Sequence, residues 1–181
     1  DSLVVFFPAL NDARWRNITL HQLLSHSSGI PHNEGIAEYW TLKSRIPLSK
    51  EQALAEIFAM KLLFDPGTDM KYSSPGYFLL ASILVSVYKQ SYAAILKEKI
   101  LRPLKMDHTG VLATGNVISG LVCGYHLVKD GIITAPYRDI SLMKGAGDLY
   151  TTAEDLTAWN NSFSVPALWT KALQEKMFTA Y

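Results

Sequence analysis

Cysteine is nearly absent: Cys123 is the single one in 181 residues, which rules out an internal disulfide and a cysteine-rich metal site. No sign of charge is in excess, because 17 Lys and Arg stand against 16 Asp and Glu. With a net charge of +1 and no basic run interleaved with aromatics, nothing points to a nucleic-acid partner. Charged residues make up only 18% of the chain, which is low for a soluble domain. Long apolar runs are lacking too. The longest, Tyr77 to Tyr88, is interrupted by Ser82 and Ser86 and is too short to cross a bilayer. There is no repeat, low-complexity tract or obvious linker. No signal-peptide pattern precedes Asp1-Ser2-Leu3-Val4-Val5, so the expectation is that Asp1 is not a natural N-terminus. A chain of 181 residues is the size of one domain with a real core.

What the chain does have is helical patterning. Residues 1–17 read as an apolar lead-in, Leu3 to Leu10, followed by a polar turn from Asn11 to Asn17. Thr19 is placed to cap a short helix burying Leu20, Leu23 and Leu24, with Gly29 and Pro31 stopping it. Residues 33–48 form a mixed loop or short helix anchored by Tyr39 and Trp40. Ser49 and Gln52 spell a capping box before an amphipathic helix carrying Ala53, Leu54, Ile57 and Phe58. Pro75 to Lys89 is apolar nearly all round and belongs in the middle of a domain. Ser91 caps the next helix, whose Tyr92, Ile95, Leu96 and Ile100 face the core and which Pro103 ends. Gly124 to Thr134 reads as a β-hairpin turning at Asp130-Gly131. Gly145 and Gly147 allow a backbone approach that side chains would block. Thr151 and Glu154 spell a second capping box, opening a helix through Trp159, and a last helix runs from about Ala167 to Phe178.

One stretch organises the rest: Phe64-Asp65-Pro66-Gly67-Thr68-Asp69-Met70-Lys71-Tyr72-Ser73-Ser74-Pro75-Gly76-Tyr77. It begins with a tight Pro-Gly turn. It ends as a helix start, with Ser74 as N-cap and Pro75 as the first helical residue. Between them Tyr72 sits in a short loop at the mouth of the apolar helix. A loop backed by an anchored helix can aim a phenol and a hydroxyl at a common point. The plainer reading of Tyr72 is an aromatic plug over a helix end. His21, His26 and His32 suggest a cluster, but the spacing of His21 and His26 puts them on different helix faces and no acidic partner is near in sequence. A structural or surface role is expected for all three, with no metal and no organic cofactor.

The Tyr72 loop resembles the Y-x-N loop of the serine β-lactamase and penicillin-binding-protein family, especially its class C, carboxypeptidase and esterase branch. Three further stretches match in order. Ile18-Thr19-Leu20-His21-Gln22-Leu23-Leu24-Ser25-His26-Ser27-Ser28-Gly29-Ile30-Pro31 is similar to that family's "ITxxxLLxHTSGxP" run. Ile100-Leu101-Arg102-Pro103-Leu104-Lys105-Met106 matches its "IxxPLGM" signature, and Gly145-Ala146-Gly147-Asp148-Leu149-Tyr150-Thr151-Thr152-Ala153-Glu154-Asp155-Leu156 its "GxGGLxSTxxDL" run. The resemblance spans nearly the whole chain. It implies a mainly α chain with a small β-hairpin: the helical part of the α/β β-lactamase/transpeptidase-like fold, with the central sheet largely missing. Residues 1–181 are then a single incomplete domain lying between the family's Ser-x-x-Lys and Lys-Thr-Gly motifs.

In that family a serine attacks an acyl carbon, a lysine one helical turn later helps activate it, and a tyrosine shares the proton relay. A serine hydroxyl is a poor nucleophile until a nearby group takes its proton. A phenol with a pKa near 10 serves only by passing that proton on or where cations favour phenolate. By resemblance Tyr72 is the catalytic tyrosine, Ser74 lines the substrate site where the family usually has asparagine, and Gly147 borders the cleft. An amide both donates and accepts and helps hold the substrate's acyl-amide group, whereas a hydroxyl is shorter and cannot reach as far, which puts lactam hydrolysis in question relative to esters or peptides. Ser86-Val87-Tyr88-Lys89 and Ser141-Leu142-Met143-Lys144 fit Ser-x-x-Lys literally but follow the "ITxxxLLxHTSG" run instead of preceding it. His108-Thr109-Gly110 spells the strand motif but comes before the hairpin. The expectation is therefore a piece of a serine hydrolase that carries the tyrosine motif but not the nucleophile, acting on a small-molecule or peptide substrate. A non-catalytic binding or scaffold member of the fold is the alternative. Core surface left uncovered by the absent sheet implies self-association, and the family implies an extracytoplasmic address.

Overall fold

The computed structural model describes residues 1–164 and 168–180. Among the described residues nine α-helical segments lie in chain order: α1 (Leu3–Phe6), α2 (Ala13–Asn17), α3 (Leu20–Leu24), α4 (Lys50–Phe58), α5 (Ser74–Tyr88), α6 (Tyr92–Leu96), α7 (Arg102–Leu104), α8 (Ala153–Ser162) and α9 (Lys171–Phe178). Among the described residues the strands form only two antiparallel pairs, β1 (Gly110–Val111) with β4 (Leu149–Tyr150), and β2 (Tyr125–Val128) with β3 (Gly131–Thr134). The chain is thus mainly helical with small sheets, as the resemblance implies. No single helix among the described residues is long and apolar enough to cross a membrane.

The core gathers on the first half of α5. Phe78 and Leu79 are fully buried there, packed with Leu3, Trp15, Ile18, Leu23, Ile30 and Ile57. Each such side chain removed from water contributes roughly 1.5–3 kcal/mol, so this cluster fixes how α3 and α4 sit against α5. The expectation that α5 is central holds only for this half. Leu84, Val87 and Tyr88 emerge into solvent beyond Ile83, so the last turns of this largely apolar helix lack cover among the described residues.

Caps hold where side chain and register agree. Thr19 with Gln22 and Ser49 with Gln52 both close as capping boxes. The Pro66-Gly67 turn also forms, closed by the Thr68 N–H on the Asp65 carbonyl at 3.1 Å, with Gly67 at φ +90° as a type II turn requires.

Several local expectations are corrected. The segment expected as a polar turn contains α2, which buries Trp15. Helix α3 stops at Leu24, before Gly29 and Pro31, because His26 takes the left-handed conformation at φ +58°. Leu24 itself is 55% exposed. Residues 33–48 hold two 3₁₀ turns, Asn33–Gly35 and Lys43–Arg45. Tyr39 anchors them from inside, whereas Trp40 lies on the surface beneath the Arg138 guanidinium. Pro103 does not end its helix. A π-helical stretch, Lys97–Leu101, precedes it, and the wider turn accommodates a residue that lacks an N–H to donate; the chain stays helical to Leu104. In the hairpin Val128 pairs with Gly131, so the turn is Lys129-Asp130 and Gly131 opens β3. The α8 cap is Thr152, accepting from the Asp155 N–H, one residue later than the Thr151–Glu154 pair. Helix α9 starts at Lys171, and Ala167 lies outside the described residues.

Candidate active site

The site is built by laying residues 63–74 along residues 26–32. The Leu63 N–H donates to the Gly29 carbonyl at 2.8 Å, Gly67 to Ser27 at 2.7 Å, and Lys71 to His26 at 3.0 Å. Gly29 makes the approach possible. At φ +80° it holds a conformation L-residues rarely adopt, and a Cβ there would collide with the Phe64 carbonyl oxygen. Two segments far apart in sequence become one rigid platform in this way.

The platform delivers Tyr72 to the mouth of α5. The N-cap of α5 is Ser73, not Ser74: the Ser73 Oγ accepts from the Gly76 N–H at 3.2 Å and donates to the Pro31 carbonyl at 3.1 Å. Pro75 is accordingly the second helical residue. Ser74, relieved of capping, turns its hydroxyl toward Tyr72, 3.4 Å from the phenol oxygen. Tyr72 is 52% exposed while Ser74 is buried beneath it, which gives a phenol presented to solvent from a fixed base.

Two of the three histidines converge here. The His26 ring centroid lies 4.7 Å and that of His32 5.1 Å from the Tyr72 ring. The Nδ1 of His26 accepts the Ser73 N–H, and the Nδ1 of His32 accepts the Ser74 N–H, each at 3.2 Å. Burial, with the neighbouring His32 ring as a lesser cause, lowers the pKa of His26, which favours the neutral ring that accepting at Nδ1 requires. On its other side His26 meets Tyr77 at 5.1 Å, and the Tyr77 hydroxyl donates to the Leu24 carbonyl at 3.0 Å. Sequence reasoning kept these histidines apart from the site. The available signal was their position, one just before Ser27-Ser28-Gly29 and one just after Pro31 in a run already set apart.

Other singled-out residues fall elsewhere. A Cβ on Gly147 would meet the Met143 methyl at 2.8 Å. The close backbone approach in that run belongs to Gly145, where a Cβ would stand 2.8 Å from the Ala81 Cβ and 3.0 Å from the Tyr77 carbonyl oxygen. Ser86 lies on the exposed end of α5, twelve residues or about 18 Å along the axis from Ser74. The Ser141 Oγ is occupied by the Leu48 N–H at 3.0 Å. His108 and Thr109 are tied to α8 through the Asp155 carboxylate at 2.9 and 2.7 Å. A cleft of about 570 Å³ opens between Leu24 and Ser25 at the end of α3, Met70, Tyr77 and the α9 residues Leu173 and Met177. It flanks the Tyr72 loop without including Tyr72 among its walls.

Comparison with known proteins places this geometry. A family model described as "Beta-lactamase" matches residues 1–179. PbpX of Bacillus subtilis (strain 168) is 28% identical over 165 residues, covering 91% of this chain and 40% of that protein. A D-stereospecific amidohydrolase from a Streptomyces species superposes with a TM-score of 0.85 at 22% identity, over 99% of this chain and 57% of the other. The octameric penicillin-binding protein homologue from Pyrococcus abyssi gives 0.77 at 26% identity, over 99% of this chain and 42% of the other. The chain therefore spans between two fifths and three fifths of the length of these proteins.

Proposed function

Because this chain belongs to the beta-lactamase family, we propose that it forms part of a serine hydrolase that cleaves an amide, ester or lactam through an acyl-enzyme. The observation that carries this reading is the Tyr72 phenol, half exposed on a platform held from below and from both sides. Tyr72 relays the proton between the attacking serine and the leaving group. Ser74 steadies the phenol oxygen and borders the substrate. Gly147 borders the wider cleft, as the family resemblance implies.

We take neither Ser86 nor Ser141 as the nucleophile, because Ser86 is remote on α5 and both follow the histidine-containing run that the family's Ser-x-x-Lys precedes. The residues described form a single incomplete domain, and the nucleophile and the strand motif belong to parts of the fold that this chain does not contain. The amidohydrolase likeness favours a D-configured amide or peptide as substrate, and Ser74 in place of the family asparagine favours esters and amides over lactams. The uncovered end of α5, with Leu84, Val87 and Tyr88 exposed, supports contact with the rest of such a fold or with a second copy. The family resemblance supports an extracytoplasmic address.

The test is acid-quench trapping with the full-length protein. Mixing it with an activated ester and with a D-amino-acid amide should leave a covalent acyl adduct on one serine, read by peptide mass spectrometry. Turnover without an adduct removes the acyl-enzyme reading. Neither turnover nor adduct favours the non-catalytic scaffold, for which the absence of a well-placed Ser-x-x-Lys among these residues is the supporting observation.

A further inference from the structure

The backbone around Tyr72 hangs on one short segment. His26 accepts the Lys71 N–H with its carbonyl at 3.0 Å and the Ser73 N–H with its Nδ1 at 3.2 Å. His32 accepts the Ser74 N–H with its Nδ1 at 3.2 Å, and Pro31 accepts the Ser73 hydroxyl at 3.1 Å. Between these anchors the two imidazole rings lie against the Tyr72 ring, His26 tilted by 46° and His32 edge-on at 61°. His26 does this from the left-handed region at φ +58°, a conformation that persists where the surroundings over-determine it and that clusters at functional sites.

We propose that His26 and His32 are positioning residues for Tyr72: two neutral imidazoles, each carrying its proton on Nε2, that fix the tyrosine by holding the following two backbone amides and packing against its ring. The inference rests on the reading of Tyr72 as the proton relay. A ring nitrogen accepts only with its lone pair free, so the geometry admits one tautomer per ring and excludes the imidazolium. The groups facing His26 are His32, Tyr72, Tyr77 and the Ser73 N–H; those facing His32 are Tyr72, His26 and the Ser74 N–H. No carboxylate is among these partners to hold a positive ring in place. Protonation at either Nδ1 therefore removes an anchor of the loop and sets a cation against the phenol.

Histidine-labelled full-length protein separates this from a merely structural role. Nitrogen-15 correlation spectra at neutral pH should find both rings as the Nε2–H tautomer. On acidification the Ser73 amide should move with the His26 ring, and the Tyr72 ring signals should follow. In His26→Asn and His32→Asn the side-chain oxygen takes the place of Nδ1 and does not titrate, and asparagine tolerates the left-handed backbone at position 26. Both variants should keep the neutral-pH spectrum, and His26→Asn should lose the acid-side movement of the Ser73 amide. An Nδ1–H tautomer in either ring, or Tyr72 signals that ignore the His26 titration, overturns the proposal whether or not the protein turns anything over. In turnover, His32→Leu should lower kcat about 100-fold with KM little changed, and His32→Asn should restore most of it. Equal losses in the Asn and Leu variants also overturn it. If wild-type protein shows no turnover of any ester or amide, the relay reading fails, and the spectra alone still decide the clamp.

Discussion

The Ser74 hydroxyl donates to the phenol oxygen of Tyr72 at 3.4 Å, while the Ser74 N–H is given to His32 at 3.2 Å. The first contact is long for an O–H···O bond, so it contributes little at rest. Ser74 is also not the helix cap. Ser74→Ala should therefore leave the urea midpoint almost unchanged and lower kcat for an ester by about threefold to tenfold, the worth of one ordinary hydrogen bond. A drop in the midpoint with unchanged kcat would make Ser74 a packing residue only.

Ser73→Ala should have the opposite profile. It removes both the cap on Gly76 and the bond to the Pro31 carbonyl. Loss of a cap costs about 0.5–2 kcal/mol, and stranding a buried acceptor adds to that. Denaturant unfolding should show a loss of about 1–3 kcal/mol. A neutral result would mean that α5 does not depend on this cap.

Gly29→Ala tests the platform. The new methyl would meet the Phe64 carbonyl oxygen in a backbone conformation already unfavourable to alanine. The expected loss exceeds about 1 kcal/mol and is accompanied by faster exchange of the Leu63 and Gly67 amides, which lie on this seam. Wild-type exchange at those amides would show that the two segments do not need this approach.

Asp148 is buried where the resembled motif has a glycine. Burial raises its pKa, against the opposing effects of the Gly145 N–H bond at 3.0 Å and the Lys144 charge. A carboxyl with a raised native pKa favours the protonated form, so its native state binds more protons than the unfolded one between the two values. Its contribution to stability is then complete below 3.8 and is lost as pH rises through the native pKa. Asp148→Asn, which keeps an acceptor for Gly145, should be more stable than wild type at neutral pH and should lose that advantage in acid below 3.8. Thermal midpoints across pH decide this, and a destabilised variant at neutral pH would reverse the assignment.

The sequence made the helices legible where periodicity and caps coincided, at Thr19–Gln22, at Ser49–Gln52 and through Phe78 and Leu79. It misplaced boundaries where adjacent residues compete for one task. Ser73 and Ser74 are both able caps, as are Thr151 and Thr152, and the winner is set by contacts with Pro31 and Asp155 that lie far off in the chain or depend on register. The Pro103 error has a different cause, because a π-turn before proline leaves no mark in composition. The placement of Tyr72 at the mouth of α5 was legible from its loop, but the two histidines against its ring were not. His26 and His32 are separated from it by forty or more residues, and only the seam through Gly29 brings them together. Hydrophobic pattern cannot report such a seam, since its bonds are backbone to backbone.

The central claim is that the Tyr72 phenol carries the proton in an acyl-transfer site. The most direct measurement is turnover of an activated ester and of a D-amino-acid amide by full-length wild-type protein and its Tyr72→Phe variant, with unfolding midpoints taken alongside. Removing only the hydroxyl of a half-exposed residue should leave the midpoint unchanged. The account predicts that kcat then falls by about 10²–10⁴-fold, the range for a lost general acid–base group. Turnover equal to wild type, in a variant that is equally stable, would contradict it.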